Sequence, residues 1–115
     1  MNSHSLLFSP ITLNGLTLKN RIAYPSLGVM FSYDSKLNHR YFAFYGEIAR
    51  GGAGVVTVGP VGVDFLGAGF VPLSLADDAA IPDFAKAARL IRDQGASPWV
   101  QLFHAGAYKI GRAHV

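Results

Sequence analysis

The chain has no cysteine, a single tryptophan and two methionines among its 115 residues. Without cysteine there is no disulfide framework, no thiolate nucleophile and no thiolate-bound metal. Charge is sparse as well: 15% of residues are Asp, Glu, Lys or Arg, and the formal net charge is only +3. The basic residues are scattered among apolar runs and form no stripe able to neutralise a phosphate backbone, so nucleic acid is not an expected partner. No run approaches the roughly 18 apolar residues of a membrane-spanning helix, and residues 1–8 lack a basic region followed by a long apolar one. The expectation is a soluble, non-secreted, cytoplasmic protein with no membrane partner. Gly-x-Ser-x-Gly and Walker signatures are missing too, which leaves hydrolase and nucleotide triphosphatase readings without a motif. No second histidine or carboxylate stands at ligand spacing from His104, so no metal site is expected.

What is present is an apolar half of the composition, enough for one modest core and one domain or part of one. Residues 11–18 alternate apolar and polar around Asn14-Gly15, a dipeptide that accepts the positive φ angles of a type I′ turn, and predict a β-hairpin. Residues 22–24 predict the first core strand, stopped by Pro25, which has no N–H for a sheet. Asn38 is placed to cap a helix in which Tyr41, Phe42, Tyr45, Ile48 and Ala49 recur at helical spacing, and Gly51-Gly52 ends it. The β-branched run at residues 54–59 is apolar on both faces, as expected of a covered parallel strand. Residues 60–80 predict a long loop, with Pro60 as strand terminator and the length suggesting a functional excursion. Pro82 and Asp83 suit a first helical turn, Phe84, Ala87, Ala88 and Ile91 form a buried stripe, and Gly95 closes the helix. Residues 98–103 predict a third strand.

This order, hairpin then β-α-β-α-β, implies an α/β fold with a parallel sheet, either doubly wound or a (β/α)8 barrel. The glycines at positions 51, 52 and 54 follow a helix instead of linking the first strand to it, so they read as a helix stop and not as a dinucleotide fingerprint. In both architectures the working face lies at the C-terminal ends of the strands. The first strand delivers Pro25, Ser26, Leu27 and Gly28 there, the second Gly59 and Pro60, the third Gln101 with His104 just beyond. A glutamine amide both donates and accepts, as an imide edge requires, so a planar heteroaromatic ligand fits across all three. Taken singly, each has a plainer reading: a strand terminator, a satisfied polar residue, a structural histidine.

The segments "LFSPITLNGLTLKNRIAYPSLG", "GGAGVVTVGPVGV" and "VQLFHAG" together resemble the old yellow enzyme and 2,4-dienoyl-CoA reductase family of flavin enzymes, in the same order and spacing. The resemblance spans residues 6–109 and implies the N-terminal portion of a (β/α)8 TIM barrel preceded by a β-hairpin. It implies FMN as cofactor and NAD(P)H as reductant, with Pro25, Ser26, Leu27 and Gly28 passing along the isoalloxazine ring through their backbone. Pro60 would sit beside the ring, and Gln101 would pair with its pyrimidine edge. His104 matches the family's His-x-Gly position, on the substrate side. The implied chemistry is ping-pong: hydride passes from nicotinamide to flavin N5, then to the β-carbon of an α,β-unsaturated carbonyl or enoyl compound. Oxidative amine dehydrogenation on the same fold is the alternative, and a non-catalytic α/β module binding a planar ligand or partner chain is the reading from another class.

Gly28 departs from the family's Thr or Cys, so a side-chain donor to flavin O4 is missing and an altered redox poise is expected. Ala107 stands where the family commonly has Arg. The family's substrate-anchoring His/Asn pair, proton-donor tyrosine and phosphate-binding loops fall beyond residue 109, so no catalytic residue is assigned. Whether 4Fe-4S and FAD domains follow, as in longer relatives, is open, as are the alkene, the nicotinamide preference and the oligomeric state. Residues 110–115, "IGRAHV", resemble translated adaptor sequence and are set apart from the barrel portion at 1–109; an ordinary terminal strand is the alternative. A complete barrel needs roughly 250 residues, so the chain alone is expected neither to fold stably nor to hold FMN.

Overall fold

Asn14 and Gly15 have φ of 47° and 83°, the paired left-handed conformation that a two-residue hairpin turn demands. They join β1 (Ile11–Leu13) to β2 (Leu16–Leu18), antiparallel with Ile11 opposite Leu18. These coordinates come from a computed structural model, which describes residues 3–65, 68 and 71–107. From the hairpin the chain enters β3 (Ala23–Tyr24) by way of Asn20, which is buried. The Asn20 side chain donates to the Gly52 carbonyl at 2.7 Å and accepts the Ile22 N–H at 3.0 Å. One side chain thus ties the exit of the hairpin to the turn that precedes the central strand.

Helix α1 (His39–Arg50) starts where Asn38 Oδ1 accepts the N–H groups of Arg40 and Tyr41, satisfying donors that the first turn leaves orphaned. Strand β4 (Val55–Gly62) follows, then the short β5 (Leu73–Ser74) and a single 3-10 turn (Asp78–Ala80) capped by Asp77. Helix α2 (Ile81–Asp93) has its proline in the first turn and buries Ala87 and Ile91, and β6 (Ser97–Phe103) completes the described elements. Strand β4 is central: β6 runs parallel along one edge, while β3 and β5 pair parallel with the start and end of the other. The two helices pack on each other and on β4 and β6. Tyr41, Tyr45 and Ala49 of α1, Val56, Val58 and Val61 of β4, and Ala87 and Ile91 of α2 form one core.

Two expectations need correction. Pro60 does not end its strand, because β4 runs on to Gly62. Val58 lies opposite Val100 and Val61 opposite Leu102, so three steps on β4 face two on β6. That bulge inserts a residue the ladder does not use, and the N–H that proline lacks is not missed there. The second correction concerns residues 60–80, which are not one loop: Leu73–Ser74 pairs with Val61 and Gly62. Residues 110–115 lie outside the described residues, so their separate assignment rests on sequence alone.

Candidate flavin-facing site

The three segments singled out in the sequence meet at the C-terminal end of the sheet. A β-carbon built on Gly28 would lie 3.9 Å from Pro60 Cδ, in ordinary contact. One built on Gly59 would lie 3.0 Å from the Gln101 carbonyl oxygen and 3.4 Å from Gln101 Cβ. Gly59 has φ of 132° and is joined to Pro60 through a cis peptide. Glycine is therefore required at 59 twice over, by its backbone conformation and by the closeness of β6.

Pro25, Leu27, Gly28 and Gln101 are exposed and Pro60 is half-buried, so the meeting place is an open, largely side-chain-poor floor. Ser26 differs from its neighbours: its hydroxyl is buried and makes no hydrogen bond. A buried hydroxyl without a partner costs roughly 1–3 kcal/mol, so a polar group arriving at this segment would find a donor and acceptor already desolvated. Among the described residues the hydroxyl of Tyr24 is likewise orphaned, on a ring packed edge-on against Phe44 of α1 at 6.1 Å. Burial raises the Tyr24 phenol above its ordinary value.

His104, just past β6, is half-exposed and held at both ring nitrogens. Its Nδ1 accepts the Gly106 N–H at 2.9 Å, and its Nε2 lies 3.2 Å from Asp64 Oδ2. In the neutral ring the proton therefore sits on Nε2 and is donated to Asp64. Asp64 went unnoticed in the sequence, where it is one acid in a glycine-rich stretch. Its signal is positional: it comes two residues after Gly62, which lies opposite Phe103, so it faces the residue that follows β6. Among the described residues no group of three or more His, Cys, Asp or Glu could hold a metal ion. Among the described residues no helix is long and apolar enough to cross a membrane.

Three parallel strands joined by crossover helices, with a glycine-proline bulge and a glutamine amide toward their C-terminal ends, form the repeating unit of an α/β barrel. The description of the NADH:flavin oxidoreductase / NADH oxidase family matches residues 6–111, and the chain belongs to that family. It is 35% identical over 104 residues to a metal reductase of Desulforamulus reducens, covering 90% of this chain and 16% of that protein. It is 38% identical over 103 residues to an NADPH dehydrogenase of Bacillus pumilus, covering 87% of this chain and 30% of that one. Among solved structures, a 2-naphthoyl-CoA reductase complex superposes with a TM-score of 0.87 at 26% identity, over 96% of this chain and 17% of that one. The chain thus spans less than a third of the length of these relatives. Its fold is the N-terminal hairpin and first βα units of the (β/α)8 barrel of old yellow enzyme-type flavoproteins.

The residues fit the family's cofactor. A side-chain-poor floor admits a planar ring, the desolvated Ser26 hydroxyl awaits a polar partner, and the exposed Gln101 amide carries both donor and acceptor.

Proposed function

We propose that this chain supplies the flavin-facing floor of an FMN-dependent NAD(P)H oxidoreductase that reduces the C=C bond of α,β-unsaturated carbonyl or enoyl compounds. The observation that carries this reading is the convergence of three segments: Gly28, beyond β3, lies near Pro60 of β4, and Gly59 lies close to Gln101 of β6. Bound FMN supplies the hydride carrier between nicotinamide and alkene. Pro25, Ser26, Leu27 and Gly28 offer backbone groups along the ring, and Ser26 adds its hydroxyl. Pro60 closes the floor beside Gly28 and keeps water from beneath the ring. Gln101 pairs its amide with the imide edge, donating from nitrogen and accepting at oxygen. His104, fixed by Asp64 and Gly106, stands on the substrate side. Gly28 provides no side-chain donor to the ring's carbonyl edge, so this floor stabilises a reduced, more anionic ring less than a hydroxyl or thiol at that position would.

The test joins this chain in one polypeptide to the remaining βα units of the Bacillus pumilus NADPH dehydrogenase and supplies NADPH with 2-cyclohexenone. The reading expects NADPH oxidation matched by loss of the alkene. NADPH oxidation with the alkene untouched, or oxidation of an amine substrate in its place, would refute ene-reduction.

A further inference from the structure

Tyr41 and Tyr45 stand one helical turn apart on α1, each 1% exposed, with rings stacked at 6.2 Å and 18°. Two phenylalanines would fill this core as well and bury no hydroxyl, which is costly unless it is bonded. Both hydroxyls are engaged, and both reach backbone instead of side chains. Tyr41 Oη donates to the Val29 carbonyl at 2.6 Å and accepts the Phe31 N–H at 3.3 Å. Tyr45 Oη accepts the Gly59 N–H at 3.3 Å. Val29 directly follows Gly28, and Gly59 directly precedes Pro60. The two tyrosines therefore hold the two segments that approach each other at Gly28 and Pro60 to make the floor.

Residues 29–31 belong to no strand, and there the Phe31 N–H also bonds the Val29 carbonyl at 3.0 Å. Gly59 lies within the bulge of β4, and residues 29–31 lie in the irregular stretch between β3 and α1. Asn38 strengthens the same junction: its Nδ2 donates to the Phe31 carbonyl at 2.8 Å while its Oδ1 caps the helix. The N-terminal half of α1 is thereby fixed to the loop it supports.

We propose that Tyr41 and Tyr45 are positioning residues: through Val29, Phe31 and Gly59 they set the spacing of the Gly28 and Pro60 segments for a planar ligand, without touching it. This rests on the flavin reading of the floor. It assigns α1 a second task beyond packing, because the hydroxyls can be removed while the aromatic core is kept.

The test uses this chain completed to a barrel with the remaining βα units of the Bacillus pumilus NADPH dehydrogenase, and amide NMR with FMN as the titrated probe. Tyr45→Phe is expected to move the Gly59 amide proton upfield while the Val56 amide stays in place. Tyr41→Phe is expected to shift the Phe31 amide in the same direction but by less, because that N–H keeps its 3.0 Å bond to the Val29 carbonyl. FMN affinity, followed at the Gly28 and Gly59 amides, is expected to weaken about two- to tenfold in each, the worth of one backbone hydrogen bond. Ile48→Val, a packing change on the same helix with no hydroxyl involved, is the control and should lower the melting temperature without either effect. Wild-type protein gives a measurement free of variants: the Gly59 amide should show the small temperature coefficient of a hydrogen-bonded group. Unmoved Gly59 and Phe31 amides in the two variants, or Ile48→Val matching their effects, would overturn the proposal. Should FMN perturb no amide of the wild type, the flavin reading fails, and the amide shifts of the variants alone decide the positioning role.

Discussion

Gly54 is packed against Asn20 so closely that a β-carbon at residue 54 would come within 2.6 Å of Asn20 Oδ1 and 2.7 Å of its carbonyl oxygen. Asn20 cannot swing away without releasing the Gly52 carbonyl and the Ile22 N–H that it bonds. Gly54→Ala is therefore expected to destabilise the chain by about 1–3 kcal/mol, as over-packing at a rigid site does. Urea denaturation followed by circular dichroism measures it, and a change under about 0.5 kcal/mol would show that the junction yields.

Gly59→Ala combines two costs. Alanine is strained at φ of 132°, and its methyl would meet the Gln101 carbonyl at 3.0 Å. The expected loss is again about 1–3 kcal/mol, here with a functional sign: β6 must shift and carry Gln101 with it. Comparison with Gly54→Ala, both placed in the barrel completed with the Bacillus pumilus βα units, separates the two, since only Gly59→Ala should weaken FMN affinity beyond its effect on folding.

Burial pushes the Tyr45 phenol up to about 12, with the Gly59 N–H opposing and the neighbouring Tyr24 and Tyr41 adding to the rise. The folded state then holds this proton more tightly than the unfolded chain, whose phenol titrates near 10. The associated stability is complete below pH 10 and falls as pH climbs from 10 towards 12, by on the order of 2–3 kcal/mol at most. Denaturation midpoints at intervals between pH 8 and 12 check this, with Tyr45→Phe as reference. The variant should lose stability less steeply over that window, and equal slopes would contradict the assignment.

Much of this architecture is legible in the residues because single positions enforce it. Asn14-Gly15 accept left-handed φ, Asn38 offers a capping oxygen, and the stripe from Phe84 to Ile91 has helical period, so each element follows from local chemistry. Pro60 misleads for a physical reason: reading proline as a strand terminator presumes that its missing N–H is needed, and the register with β6 that makes it unnecessary is a tertiary fact. Leu73–Ser74 is too short for any periodicity and becomes a strand only because Val61 and Gly62 offer it an edge. The element order brings Gly28, Pro60 and Gln101 toward one end of the sheet, but it does not show that Pro60 and Gln101 lie inside their strands instead of at the ends. Asp64 and the tyrosine hydroxyls were not legible, since their partners are a ring nitrogen and backbone groups distant in sequence. Tyr41 and Tyr45 read as packing alone until those partners are seen.

The central claim is that Gln101 reads the imide edge of a flavin seated on this floor. Gln101→Leu keeps a side chain of similar size, and its effect on folding is read directly from the melting curve. In the barrel completed with the Bacillus pumilus βα units, the decisive measurement is flavin retained per protein after gel filtration, read from the visible absorbance. The account predicts that the parent keeps FMN while Gln101→Leu, equally folded by its melting curve, loses most of it. A folded parent that carries no flavin, or a Gln101→Leu protein that keeps it at unchanged affinity, would contradict the account.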